Sequence, residues 1–144
     1  MIAEKFHAMA SLGDRNSRVK DLWDVACLAR RFAFDGDTLR TAIAETFRHC
    51  GTSLTGGRPT ALRAGYYDDH EAPDRGQRWR EMRRQIGTDI DGPGHLVEAG
   101  EELRRFLRPV CDSLTEESPF TQVWPAGGPW RPGVQARTGG EGGD

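Results

Sequence analysis

An all-α domain of about five helices, with a disordered Gly/Pro-rich C-terminal tail, is the fold class this sequence predicts. Apolar residues recur at helical spacing in five segments, each bracketed by capping residues or by Gly and Pro. No segment alternates like a strand, except FTQVW at 120–124. From about Thr115 the composition shifts to Gly and Pro, which cannot bury enough surface to offset the entropy of ordering the chain. These observations divide the chain into a helical domain at 1–114 and an extended or disordered tail at 115–144.

The first helix, 2–12, turns Ile2, Phe6, Met9 and Leu12 to one side and is closed by Gly13. The turn GDRN leads to a second helix over 17–32, with Asn16 or Ser17 as its cap and Val19, Leu22, Trp23, Val25, Ala26, Leu28 and Ala29 on a broad apolar face. Asp37 is the expected N-cap of a third helix at 38–50, stopped by Gly51. Residues 51–73 read as a long connection with one helical turn near 61–66. A fourth helix covers 74–86, and a fifth covers 95–107, ending near Pro109 because proline removes a helical donor.

The 144 residues carry a net charge of −2, with a pI near 6.1, so bulk charge demands neither a nucleic acid nor a membrane. No apolar run is long enough for a membrane span, and Met1 leads into an amphipathic helix instead of a secretory signal. Three cysteines (Cys27, Cys50, Cys111) and four histidines lie too far apart for a disulfide framework or a zinc site. Buried reduced thiols in a cytoplasmic protein, with no metal ligands, are the expectation.

Two charges interrupt the apolar faces. Lys5 falls between Met9 and Leu12 on the inward arc of the first helix, in a chain with only two lysines against eighteen arginines. Asp21 projects between Val25 and Leu28 in the second helix, whereas Lys20, Asp24, Cys27 and Arg31 gather on another side. Consecutive helices joined by a short turn pack antiparallel, which leaves Lys5 and Asp21 a turn or two out of register, a gap that a lysine stem can partly span. One reading is a semi-buried ion pair, which contributes little stability because desolvation cancels most of the attraction. The other is a solvent-reachable cleft in which an ammonium meets phosphate and a carboxylate positions reacting groups.

The stretch IAEKFHAMASLGDRNSRVKDLWDVACLARRFAFDG resembles the C-terminal part of AbiEii-type nucleotidyltransferase toxins. Ala3, Glu4 and Lys5, then Lys20, Asp21, Trp23 and Asp24 carry the likeness, together with RRFAFDGDTL at 30–39, and it thins beyond about residue 110. The resemblance implies a DNA-polymerase-β-like enzyme that transfers a nucleotide from an NTP to RNA such as tRNA and is neutralised by an antitoxin protein. In the complete enzyme an N-terminal α/β core supplies a Gly-Ser motif and Mg²⁺-binding acids, and the helical part supplies a lysine and an aspartate. Those map to Lys5 and Asp21 as catalytic residues, with Asp24 as a further candidate. No Gly-Ser segment precedes Lys5, so the chain reads as a C-terminal fragment that is inactive alone and holds no cofactor of its own. Mg²⁺ and NTP belong to the complete protein. The alternative is a non-catalytic helical module that binds an antitoxin or another protein, and its open contact face predicts self-association.

The fourth helix, DRGQRWREMRRQ, is the most basic segment, with Arg78, Arg80, Arg83 and Arg84 as candidate RNA contacts around a Trp79–Met82–Ile86 stripe. Its plainer reading is a surface helix anchored by Trp79. YYDDHE at 66–71 and VEAGEEL at 97–103 read as an exposed acidic loop and a helix polar face. Trp124 and Trp130 are candidates to dock a partner from the tail.

Overall fold

A computed structural model of the protein describes residues 2–11, 19–51, 62, 73–87 and 90–133. The GDRN turn with its capping residues, most of the 51–73 connection, the YYDDHE loop and residues 134–144 lie outside the described residues. Five helices dominate: α1 (Ile2–Ser11), α2 (Val19–Arg31), α3 (Gly36–His49), α4 (Pro73–Ile86) and α5 (Leu96–Thr115). Three two- or three-residue strands, β1 (Phe34–Asp35), β2 (Gln122–Trp124) and β3 (Arg131–Pro132), form an antiparallel sheet in the order β1-β2-β3. The all-α expectation holds.

Helix α2 is the hub. It packs against α1, α4 and α5, while α1 and α5 also contact α3. The stripes read from helical spacing meet in one core in which Phe6, Met9, Leu22, Val25, Ile43, Leu103, Phe106, Leu107 and Val110 are fully buried. Trp23 and Trp79 meet edge to face beneath α4, with ring centroids 5.9 Å apart.

Two boundaries differ from expectation. Helix α3 starts earlier, because Asp35 instead of Asp37 is the N-cap: its Oδ2 accepts from the Thr38 backbone N–H and hydroxyl, both at 2.9 Å. Gly36 can then lie against β2, where a Cβ would collide with the Gln122 carbonyl and the Phe120 ring. Helix α5 runs through Pro109 to Thr115. An interior proline costs about 3 kcal/mol. Here Phe106, Leu107, Val110 and Cys111 are all buried around it, and that burial outweighs the loss. Ser113 is buried too, its hydroxyl donating to the Val110 carbonyl at 2.7 Å and accepting from Arg40 Nε at 3.1 Å.

Packed structure also extends further along the chain than composition suggested, to residue 133. FTQVW does contain a strand, β2, paired with β1 through Phe34↔Trp124 and Asp35↔Val123. Trp124 is buried, and its indole N–H donates to the Ala29 carbonyl at 2.7 Å, joined there by the Gly127 backbone N–H at 2.9 Å. These donors satisfy a carbonyl near the C-terminal end of α2 that has no partner within its own helix. The segment after α5 thus caps α2 and covers the core. Of the cysteines, Cys27 and Cys111 are buried as expected, but Cys50 is exposed at the end of α3; all three are free thiols. No helix among the described residues is long and apolar enough to cross a membrane.

Candidate functional site

Where α1 crosses α2, Lys5 reaches between two carboxylates. Its Nζ lies 2.9 Å from Asp24 Oδ2 and 3.5 Å from Asp21 Oδ1. Asp24 Oδ1 accepts from Lys20 Nζ at 2.7 Å. The stronger partner of Lys5 is therefore Asp24, one turn further into α2 than Asp21. An antiparallel hairpin calls for a shift in that direction. The side chains of Lys5, Asp21 and Asp24 are 26%, 14% and 22% exposed, so each is recessed yet reachable by solvent.

The two lysines and two aspartates sum to zero charge. Lys5 is raised above its ordinary value, chiefly by its hydrogen bond to Asp24 and against the effect of burial. For Asp24, burial alone would favour the neutral acid; the hydrogen bonds from Lys20 and Lys5 together outweigh it and hold the carboxyl below the usual range. All three candidate residues thus come together at one site. With one ammonium on each oxygen of Asp24, Lys5 can turn to a phosphate while Lys20 still compensates the carboxylate.

The same arrangement argues against a divalent cation here. A Mg²⁺ ion needs carboxylate oxygens free of competing cations, and both Asp24 oxygens face ammonium groups. No group of three or more His, Cys, Asp or Glu among the described residues is placed to hold a metal ion. Asp21 and Asp24 do not fit a Mg²⁺ site.

A second charged cluster, at the other end of α2, was not anticipated. Arg30 donates to both oxygens of Glu102, at 2.9 and 2.6 Å, to Glu98 at 3.2 Å and to Asp91 at 3.3 Å. The hydrogen bonds to Glu102 raise its already high pKa further. This fork ties α2 to α5 and to the loop before it. The one sequence signal for it was the i, i+4 pair Glu98 and Glu102, which share a helix side; their partner, about seventy residues away, carried no mark.

The arginines of α4 divide. Arg83 stacks over the Trp23 ring, 4.7 Å from its centroid, and donates to the Gly87 carbonyl at 2.9 Å, so it serves packing. Arg78, Arg80 and Arg84 lie on the exposed surface. An apolar groove of about 520 Å³ opens between α1, the end of α2 and the start of α3, lined by Ile2, Leu28, Phe32, Phe34 and Leu39 among others. Phe32 is 55% exposed there.

The model of one protein family, described as nucleotidyl transferase AbiEii toxin, type IV toxin–antitoxin system, matches residues 1–111. That span contains the whole Lys5–Asp21–Asp24 cluster and most of α5. No curated protein and no solved structure matches the chain. A family match over most of the chain, with the α1–α2 cluster inside it, makes this protein a member of the AbiEii nucleotidyl transferase toxin family.

Proposed function

We propose that this chain is the helical portion of an AbiEii-like toxin, in which Lys5, Asp21 and Asp24 face the nucleotide during transfer from an NTP to an RNA such as tRNA. The observation that carries this reading is the double compensation of Asp24, which leaves Lys5 exchangeable. Lys5 neutralises phosphate oxygens of the NTP, and Asp21, 14% exposed beside it, orients groups around the reacting centre. Lys20 acts through Asp24 and is a positioning residue. The sequence has no Gly-Ser dipeptide, and on this reading the metal-binding core lies outside these residues, which are inactive without it. Mg²⁺ held by that core would supply charge neutralisation at the transferring phosphoryl group.

The test is incorporation of labelled nucleotide into tRNA with Mg²⁺. The chain alone should give none. Joined to a family catalytic core, it should give incorporation that Lys5→Ala abolishes and Lys20→Ala reduces. Robust incorporation by the chain alone would remove the inactivity claim, and an active joined protein indifferent to Lys5→Ala would remove the site.

A second reading, a non-catalytic module that docks an antitoxin or another protein, is favoured by the apolar groove around Phe32. It predicts that Phe32→Ser weakens binding of a family antitoxin and leaves the fold intact. Unchanged affinity of that variant would set this reading aside.

A further inference from the structure

Helix α5 carries a second surface, on which neither the family match nor the Lys5 cluster depends. Glu101, Arg104, Arg105, Arg108 and Asp112 recur at i, i+3, i+4, i+7 and i+11, so they share one side of the helix. They line an open groove of about 610 Å³ whose other wall includes Trp130. Neither Arg104 nor Arg105 has an ion-pair partner among the described residues, and the carboxylate nearest Arg108, that of Asp112, is 3.9 Å away. Arg30 meanwhile engages Glu98 and Glu102. The groove is therefore locally cationic although the chain is net acidic.

Trp130 is held rigidly at this wall. Its indole N–H donates to the Phe106 carbonyl at 2.8 Å, and its ring lies nearly parallel to Phe106, at 7° and 5.8 Å. Phe120 and Trp124 meet it edge to face at 4.8 and 5.4 Å. A fixed aromatic plane beside three arginines suits a ligand with alternating anionic and flat aromatic parts. We infer that this groove binds single-stranded nucleic acid, the arginines taking successive phosphates and Trp130 stacking on a base. A duplex hides its base faces, and a run of Asp and Glu would use the arginines but offer no flat ring to the indole. The α4 arginines are the weaker platform. Of the described tryptophans at α4, Trp79 is buried and the Trp23 face is occupied by Arg83.

Fluorescence anisotropy of the full chain with labelled RNA and DNA strands of one sequence tests this inference. The assay contains no NTP or Mg²⁺, so its result stands apart from nucleotide transfer. Binding should weaken about tenfold in an Arg104→Gln, Arg105→Gln variant, with the salt slope falling by about 1.4 for two phosphate contacts on a single strand. Melting curves confirm that the variant stays folded. An abasic strand of equal charge should bind about fivefold less tightly or worse, because stacking is lost. Binding of both strands supports the inference, and binding of RNA alone supports it and names the source. It is overturned by any of four results: no binding at low salt, an abasic strand bound equally well, displacement by polyglutamate at matched charge, or loss of binding only in an Arg78→Gln, Arg80→Gln, Arg84→Gln variant.

Discussion

The two ends of α2 carry two kinds of charge cluster. Near its N-terminus, compact ammonium groups on flexible stems meet two aspartates, and each contact is a single one. Near its C-terminus, one planar guanidinium grips Glu102 through two parallel bonds and reaches Glu98 and Asp91 as well. A lysine is a point charge that can exchange partners; an arginine fork fixes orientation. On this comparison the C-terminal cluster is the firmer tie within the fold, and the N-terminal one is the weaker tie that the proposed role of Lys5 requires.

The comparison breaks most readily at Arg30. Arg30→Ala strands the recessed Glu102 and frees the more exposed Glu98 and Asp91, and we expect a loss of about 2–3 kcal/mol in chemical denaturation. In a chain of this size that lowers the melting temperature by roughly 7–10 °C. Arg30→Lys should recover less than half of the loss, since an ammonium cannot span both Glu102 oxygens. If lysine restores the parent stability, the contrast between fork and point charge is wrong.

Lys5→Met should move stability by no more than about 1 kcal/mol, because Lys20 still compensates Asp24 and the desolvation of Lys5 is removed along with its attraction. A loss as large as that of Arg30→Ala would make Lys5 a structural residue and sink the distinction. The pH response sharpens the point. Asp24 binds its proton more weakly folded than unfolded, so its contribution is complete above its ordinary value of 3.8 and fades as pH falls through the lower folded value. Lys5, raised above its ordinary 10.5, contributes fully below that value and loses its contribution as pH rises through the folded one. Asp24→Asn should flatten the acid limb of stability and leave the plateau near neutral pH only slightly lowered, as read from denaturation at several pH values. Lys20→Ala is the smallest expected change, about 0.5 kcal/mol or less for an exposed i, i+4 pair.

What could be read from the chain depended on how far the informative residues lay from one another. Lys5 and Asp21 stood out because a charge on an apolar helical arc is visible within four residues on either side. The preference of Lys5 for Asp24 was not visible, since helix register depends on how α1 and α2 seat. Arg30 looked like an ordinary surface charge at the end of a helix. Its partners at 91, 98 and 102 become neighbours only once α5 packs on α2. Trp124 and Trp130 sat in a Gly- and Pro-rich context that reads as tail, and their packing required the Phe106 surface and the open carbonyl of Ala29.

By itself, the sequence determined the helical class, the five apolar stripes and the two misplaced charges, all products of periodicities repeating within a few residues. Tertiary structure alone decided where α5 ends, which aspartate Lys5 prefers, what Arg30 clamps and which arginines share a groove with Trp130. Those outcomes are set by contacts across tens of residues, where the energy of burying one more turn or satisfying one carbonyl exceeds the local preference of a proline or a glycine.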